Sequence, residues 1–359
     1  SFDTSKITNM SYAFSNLAAI TSLDLSKFNT ENVMIMSNMF YHSTKLQYLN
    51  LKSFNTKKVT DFSYMFGSCE NLLSLDLSHF DTSKAKQMEY MFQFCGQLRS
   101  LDISKFDTSF VTDFSGMFYG CSSLDSLNVK SFNTKNVVTM TKMFGEMSRL
   151  KELDLSNFDT GNVQDMSLMF VSSSSITSIN LASFDTSKLT HIYRIFDGCR
   201  SLQSIDISNF DTSLLTSFGY MFNDCKNLNS VNFGNVHKRK IEYMKNMFSG
   251  CSSLNSLDLS SFDTSELTDA TSAFNGCSTL SRIKMDNFNT SKAESINKMF
   301  YSCSALTSLY LPYFDTRNIG STGLSMVFDG CNILHLTLNE EKCSNLKPFI
   351  PKYVDITYI

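Results

Sequence analysis

The sequence predicts an α/β repeat solenoid, and three observations support this prediction. Cysteines recur at a spacing of 26 residues, or three times that spacing, from Cys69 to Cys303. Apolar residues within each period follow first a strand-like and then a helix-like spacing. Two columns of phenylalanine keep the same period through almost the whole chain. A fixed period of this length is typical of architectures in which each turn packs on its neighbours.

The first half of each period predicts a β-strand. Leu72, Leu75 and Leu77 represent three columns that stay apolar in nearly every turn, and the last two alternate with polar residues. A period of two is typical of a strand with one buried face. Strands repeated in register would form one long parallel sheet on one face of the coil.

The second half of each period predicts a short helix on the opposite face. Val59, Phe62, Met65 and Phe66 fall at a spacing that would place them on one side of a helix. A glycine just before the cysteine, as at Gly120, suits the left-handed end of such a helix. The phenylalanine columns that run from Phe2 to Phe314 and from Phe14 to Phe328 would stack as two aromatic spines in the core.

The composition excludes several partners. The formal net charge is only −3, and acidic and basic residues are interspersed, which argues against a nucleic-acid partner. No apolar run is long enough to cross a bilayer, so we expect no membrane insertion within this segment. The five histidines occupy different phases of the repeat, and no phosphate-binding glycine loop is present, so the sequence does not predict an enzyme.

The repeat motif resembles a known family. The Leu-x-x-Leu-x-Leu that opens each turn resembles a leucine-rich repeat. Phe80-Asp81-Thr82-Ser83, followed by Met91-Phe92 and Cys95, resembles the BspA-like leucine-rich-repeat surface proteins of bacteria and protists. This resemblance covers nearly the whole chain. It implies a right-handed coil, an extracellular or cell-surface location, and a role in adhesion or in binding a partner.

The outward-facing column of the predicted strands is the candidate binding face, which we call the polar stripe. Leucine-rich repeats commonly present this face to partners, and a strand spacing of about 4.8 Å would make the stripe roughly 60 Å long. It could instead be a solvated sheet surface, or a calcium-binding stripe. Its members are Asp24, Asn50, Asp76, Asp102, Asn128, Asp154, Asn180, Asp206, Asn232 and Asp258.

A second acidic column precedes the threonine of each turn, as at Asp81 and Asn55. Asp and Asn interchange freely there, which predicts side chains that cap their own backbone, since either type of oxygen can accept the hydrogen bond. Metal coordination would favour the charged residue more consistently. We therefore expect no resident cofactor, with Ca²⁺ on an acidic column as the alternative.

Leu17, Ser43, Met147 and Ser173 replace the regular cysteines in four turns. Leu and Met fit a buried apolar position, so the thiols are predicted to be packed and inert, with room for partial exposure in the two serine turns. Cys331 and Cys343 lie outside the regular spacing, and a disulfide between them would fasten the last turn. No C-x-x-C pair is present, which argues against zinc.

The pattern breaks at three places. A basic turn, formed by His237, Lys238, Arg239 and Lys240, replaces the regular motif and is either a solvated turn or a site for an acidic partner. Residues 332–359 leave the register and predict a C-terminal cap after about thirteen repeats in residues 1–331. The chain starts at Ser1 in mid-repeat, which suggests a fragment without its N-terminal cap, an end at which self-association is possible.

These features predict a non-enzymatic extracellular or cell-surface scaffold for binding or adhesion. Its polar stripe would contact a protein or a glycan on another cell or in the surrounding matrix. The alternative is a structural surface protein that assembles end to end or laterally into filaments or arrays.

Overall fold

A computed structural model describes residues 3–234 and 240–359. The chain forms two compact units, Ser1–Asp185 and Thr186–Ile359. Each unit is a stack of turns in which the leucine columns face inward, as at Leu75 and Leu77, and Asp76 between them faces solvent. The predicted coil of 26-residue turns is therefore present in both units.

The strands are short and pair in parallel, in the register that the repeat predicts. In the first unit, β1 (Ser22–Asp24) pairs with β2 (Tyr48–Asn50). In the second unit, β3 (Ser204–Asp206) pairs with β4 (Ser230–Asn232), and β5 (Ser256–Asp258) pairs with β6 (Arg282–Lys284). The described residues thus form several small sheets in place of the single long sheet that we predicted, and the turn of Leu72, Leu75 and Leu77, which predicted a strand, contains none.

The last sheet of the second unit has three strands. β7 (Ser308–Leu311) pairs with β8 (His335–Leu338), which pairs with β9 (Asp355–Tyr358), and a 3₁₀ helix at Ser344–Phe349 connects the last two strands. Residues after 331 therefore continue the sheet from the last regular turn. The boundary at 331 and the role of residues 332–359 as a cap stay predictions.

The predicted short helices are wrong. Val59, Phe62, Met65 and Phe66 are fully buried, as expected. Their backbone, however, does not make helical hydrogen bonds. Phe62 N–H donates to Gln87 O at 2.9 Å and Tyr64 N–H donates to Glu89 O at 3.0 Å, both in the next turn. Met65 N–H, between them, donates to Phe62 O at 3.1 Å and closes a tight turn. Alternate N–H groups thus join neighbouring turns, which a helix cannot do.

Left-handed backbone explains why these tight turns do not become a helix. Tyr64 and Ser68 have φ angles of 54° and 58°, and the equivalent residues in most other turns are also positive. A residue in this region ends a right-handed helix. The glycine before the cysteine is left-handed as predicted, with φ of 77° at Gly120, but it belongs to a run of turns and not to a helix end.

Of the two predicted phenylalanine spines, the one that runs from Phe14 to Phe328 is confirmed in each unit. In the first, the Phe66 and Phe92 rings lie 5.7 Å apart, and the Phe92 and Phe118 rings 5.8 Å apart, all nearly parallel. In the second, the Phe248 and Phe274 rings stack in the same way at 5.9 Å. Offset stacking at these distances buries a large apolar area in a thin coil.

A ladder of buried threonines joins neighbouring turns. Each of these threonines directly follows the second acidic column, as Thr82 follows Asp81. Thr82 Oγ1 donates to Asp107 O at 2.9 Å and accepts from Asp107 N–H at 2.8 Å, so one hydroxyl satisfies both backbone groups of a residue in the next turn. Thr212 Oγ1 has no partner among the described residues, and His237, 25 positions on, lies outside them. The same pair of bonds joins Thr30 to Asn55, Thr56 to Asp81, Thr108 to Asn133, Thr134 to Asp159, and Thr290 to Asp315.

The cysteine column is buried and carries a repeated hydrogen bond. Cys95 Sγ donates to Phe66 O at 3.2 Å, and Ser173 Oγ donates to Phe144 O at 2.6 Å. Serine replaces cysteine because both can donate to this carbonyl. The predicted partial exposure in the serine turns is wrong, since Ser43 and Ser173 are fully buried. Burial raises the pKa of Cys69 and of Cys121 to about 12, which removes the reactive thiolate at neutral pH.

The predicted Cys331–Cys343 disulfide is not formed in the structure. Both are free, buried thiols. Cys331 Sγ donates to Phe300 O at 2.7 Å, and Cys343 Sγ donates to Phe314 O at 3.3 Å. Each thiol therefore donates to a carbonyl of the preceding turn, as the regular cysteines do.

Native protein is expected to resist alkylation at its regular cysteines. With iodoacetamide at pH 8, Cys69, Cys95 and Cys121 should stay unmodified for as long as the protein is folded, because their thiols are buried and protonated. All three should react in urea. Mass spectrometry of tryptic peptides measures both states, and rapid labelling of the folded protein would contradict the assigned burial.

Candidate functional site

All ten members of the polar stripe are exposed, and each accepts a backbone hydrogen bond from the residue two positions on. Oδ1 of Asp76 accepts from Ser78 N–H at 3.0 Å, and Oδ1 of Asn128 accepts from Lys130 N–H at 3.1 Å. This bond closes an Asx turn, which in five of the turns directly ends a strand, β1 to β5. The stripe residues therefore have a structural role that the sequence predicts only for the other acidic column. The same bond occurs at Asp24, Asn50, Asp102, Asp154, Asn180, Asp206, Asn232 and Asp258.

The parallel register places neighbouring stripe residues side by side. Asp24 pairs with Asn50 in the first unit, and Asp206 pairs with Asn232 in the second. Aspartate thus lies beside asparagine at these pairs, an arrangement that reduces like-charge repulsion.

The serines that follow the aspartates lower their pKa. Hydrogen bonds from Ser78 and Ser104 hold the pKa of Asp76 and Asp102 below its usual value, and those from Ser156, together with the Lys130 ammonium, lower the pKa of Asp154 to about 2. Hydrogen bonds to the charged form favour ionisation. The stripe consequently keeps its negative charge in mildly acidic conditions.

Neighbouring side chains occupy some of the stripe carboxylates and leave others open. In the first unit, Asp154 Oδ2 lies 3.2 Å from Lys130 Nζ. In the second unit, Asp206 Oδ2 accepts from Asn232 Nδ2 at 3.1 Å, and Asp258 Oδ2 lies 3.5 Å from Lys284 Nζ. In the first unit, no described residue forms a hydrogen bond or an ion pair with Oδ2 of Asp76 or Asp102. These two carboxylates are the part of the stripe most available to a partner.

A shallow groove of ≈ 390 Å³ follows this available part of the stripe. Asp76, Asp102 and Asn128 lie on it, and serines from the preceding column line it beside them. The flanking serines are Ser74, Ser100 and Ser126. Their regular Ser-x-Asp spacing is the signal that identifies them as part of the same surface.

The second acidic column caps the backbone, as predicted. Asp81 Oδ1 accepts from Ser83 N–H at 3.0 Å, and Asn55 Oδ1 accepts from Lys57 N–H at 3.2 Å. Among residues 3–234 and 240–359, no three His, Cys, Asp or Glu side chains group as metal ligands would. Calcium on an acidic column stays a prediction without an assembled ligand set.

The basic turn lies mostly outside the described residues, which exclude His237, Lys238 and Arg239. Lys240 is described, and its Nζ lies 3.0 Å from Glu266 Oε1, while Glu266 Oε2 pairs with Lys292. This lysine is therefore engaged within its own unit. A site for an acidic partner at the turn stays a prediction.

A family model described as "Mycoplasma protein of unknown function, DUF285" matches residues 1–101, 94–179, 172–283 and 231–340. The chain belongs to this family. The matches overlap one another along the repeats, so the DUF285 pattern includes the regular turns of both units. No curated protein matches this DUF285 chain.

Solved structures similar to this DUF285 protein include leucine-rich-repeat proteins. One from Bacteroides ovatus has 17% identity and a TM-score of 0.61, covering 98% of this chain and 88% of that one. One from Eubacterium ventriosum has 17% identity and a TM-score of 0.46, covering 88% and 83%. A leucine rich cell surface protein from Faecalibacterium prausnitzii has 15% identity and a TM-score of 0.43, covering 98% and 83%. The first likeness shows that the DUF285 repeats adopt a leucine-rich-repeat fold.

Among the described residues of this DUF285 chain, no helix is both long enough and apolar enough to cross a membrane.

Proposed function

We propose that this protein is a non-enzymatic binding scaffold, secreted or displayed at the cell surface, that holds a partner protein through its polar stripe. The leucine-rich-repeat fold and the BspA-like motif support a role in binding. The partner surface is basic, because the stripe presents aspartates, asparagines and serines and keeps its charge at low pH. Adhesion to another cell or to a matrix is the form of binding that the motif favours.

The observation that carries this proposal is the Asx turn at Asp76 and Asp102. In each, one carboxylate oxygen is fixed by a backbone N–H, so the other oxygen is held in a defined position without further loss of side-chain freedom. A preorganised acceptor binds more favourably than a mobile one. Parallel turns repeat these acceptors at the strand spacing of about 4.8 Å, which suits an extended surface contact.

A double variant in which asparagine replaces both Asp76 and Asp102 should bind a basic peptide of alternating lysine and serine more weakly. Asparagine keeps the Asx turn, as Asn50 and Asn128 show, and removes only the charge. Because exposed ion pairs contribute about 0.2–1 kcal/mol each, we expect a Kd increase of about fivefold at low salt. Fluorescence anisotropy measures this, and an acidic peptide of glutamate and serine is the control ligand.

The double variant should keep the unfolding midpoint of the parent protein. A changed midpoint would show that charge removal disturbs the turn, while unchanged peptide binding with an intact fold would refute the role of the stripe. Binding by the parent protein should be the same at pH 7 and pH 5 and decrease only as the pH falls through the lowered pKa values of Asp76 and Asp102.

Assembly into filaments or arrays is the second candidate. In the second unit, β9 pairs with β8 on one side, and Tyr358 within β9 and Tyr353 and Ile359 beside it are exposed. An exposed strand edge with apolar neighbours favours pairing with another chain. Light scattering over a range of protein concentrations tests this candidate, and a mass that stays at one chain would exclude it.

A further inference from the structure

A second cleft of the first unit lies away from the polar stripe, at the corner that precedes the leucine columns. Its volume is ≈ 660 Å³, within the range of about 300–1,000 Å³ that small-ligand sites occupy. Successive turns contribute equivalent positions, so the cleft extends along the stack. It is lined by Glu70, Asn71, Phe94, Gly96, Gln97, Gly120, Ser122, Glu146, Ser148 and Ser172.

Two glycines and one phenylalanine open this cleft. Gly96 lies at a position where the neighbouring turns have Glu70 and Ser122, so the missing side chain leaves the floor open. Phe94 has a φ angle of 54°, an uncommon backbone conformation for a bulky residue. Its ring occupies the space that a Cβ at Gly120 would need, since that atom would lie 2.3 Å from Phe94 Cδ1.

The Phe94 ring also packs against Tyr119. The centroids of Phe94 and Tyr119 lie 5.2 Å apart, and Tyr119 OH donates to Glu146 Oε1 at 2.6 Å. Glu146 is itself part of the lining, so the tyrosine joins the apolar part of the cleft to one of its carboxylates. The ring and this carboxylate are thus fixed relative to each other, and Phe94 stays half-exposed.

The polar lining consists of hydrogen-bonding groups without a cation. Glu70 and Glu146 supply carboxylates, Asn71 and Gln97 supply amides, and serines supply hydroxyls. Asn71 Nδ2 donates to Thr44 O at 2.6 Å, so the amide nitrogen is held by the protein. Because the lining contains no lysine or arginine, charge disfavours phosphorylated, sulfated or carboxylated ligands.

We propose that this cleft binds a neutral linear oligosaccharide. A sugar ring presents C–H groups, which pack on an aromatic face, and hydroxyl groups, which both donate and accept hydrogen bonds. The half-exposed ring of Phe94 can pack on the C–H groups of a sugar. The carboxylates, amides and hydroxyls around the ring can form hydrogen bonds with the hydroxyl groups of the sugar. The equivalent positions recur at a turn spacing of about 4.8 Å, comparable to the rise per sugar of an extended chain.

Titration calorimetry with neutral hexasaccharides tests the proposal: maltohexaose, cellohexaose, mannohexaose and chitohexaose. At least one should bind the parent protein, whereas hexagalacturonate should not. Gly96→Arg should abolish binding by filling the floor. The substitution suits the backbone, since a Cβ there would meet no atom closer than 3.5 Å, and other turns carry Arg200 and Lys226 at this position. Phe94→Ala should weaken binding about tenfold.

The matched control is Ser278→Arg, the same substitution at the same repeat position in the second unit, which should leave the affinity unchanged. Binding of no neutral hexasaccharide would overturn the proposal, as would binding that survives Gly96→Arg in a folded protein. Tighter binding of an arginine hexapeptide than of any sugar would assign the cleft to a cationic peptide instead. The stripe variants and the cleft variants lie on different surfaces, so either function can fail without the other.

Discussion

Replacing Gly116 with alanine is expected to lower the free energy of unfolding by about 2–5 kcal/mol, the sum of backbone strain and overpacking. Gly116 has a φ angle of 56°, and a Cβ there would lie 2.2 Å from Cε1 of Tyr90. The Tyr90 ring cannot move aside freely, because it stacks on Tyr64 with centroids 4.8 Å apart. Urea denaturation followed by circular dichroism measures the change.

Two further variants separate strain from the clash. Gly276→Ala places a Cβ at a similar φ of 74° but no closer than 3.8 Å to another atom, so only about 1 kcal/mol should be lost. Lys142 already has a φ of 60° at the repeat position of Gly116, which shows that strain alone is tolerated there. In the Tyr90→Ala background, Gly116→Ala should cost much less. Equal costs for the two glycine variants would show that Tyr90 does not press on Gly116.

Thr108→Val is the second substitution with a large expected effect. The side chain is fully buried, and its hydroxyl is the partner of both Asn133 N–H and Asn133 O, at 2.8 and 2.9 Å. Valine has nearly the same shape, so the change removes the hydrogen bonds with little change in packing. Two partly buried backbone groups of Asn133 left without partners should cost about 2–5 kcal/mol of unfolding free energy.

Thr108→Ser is the matched control for the ladder. Serine keeps the hydroxyl and deletes one methyl group, so we expect a loss of about 1 kcal/mol. Urea unfolding curves of the two variants, recorded side by side, give the comparison. A valine variant as stable as the serine variant would mean that the threonine hydroxyls do not join the turns.

The sequence predicts the core well because its columns are repeated. Leu75, Leu77 and Phe66 are buried as their periodicity indicates, since periodicity reports which side chains face inward. It does not report how the backbone pairs its hydrogen bonds. The spacing of Val59 and Phe62 suits a helix and a run of tight turns equally, so the helix prediction failed where the backbone became left-handed at Tyr64, a residue that gives no sequence signal for it.

The candidate sites also differ in how far the sequence predicts them. The polar stripe was predictable because Asp76 and its equivalents recur in one column, but the Asx turn that orients each of them was assigned only to the column of Asp81. The cleft could not be predicted, because it depends on exceptions to the repeat. Phe94, Gly96 and Gly120 become a site only when neighbouring turns bring a glycine under an aromatic ring.

A photo-crosslinker placed on the polar stripe tests the central claim most directly. The regular cysteines are buried, so Ser100→Cys, on the groove beside Asp102, can be labelled selectively with a benzophenone. Lys84→Cys, at an exposed corner away from the stripe, is the control. We predict that the basic lysine and serine peptide crosslinks to the label at position 100 and only weakly to the label at 84, and that salt reduces the product. Equal crosslinking at both positions, or crosslinking at 84 alone, would contradict the claim.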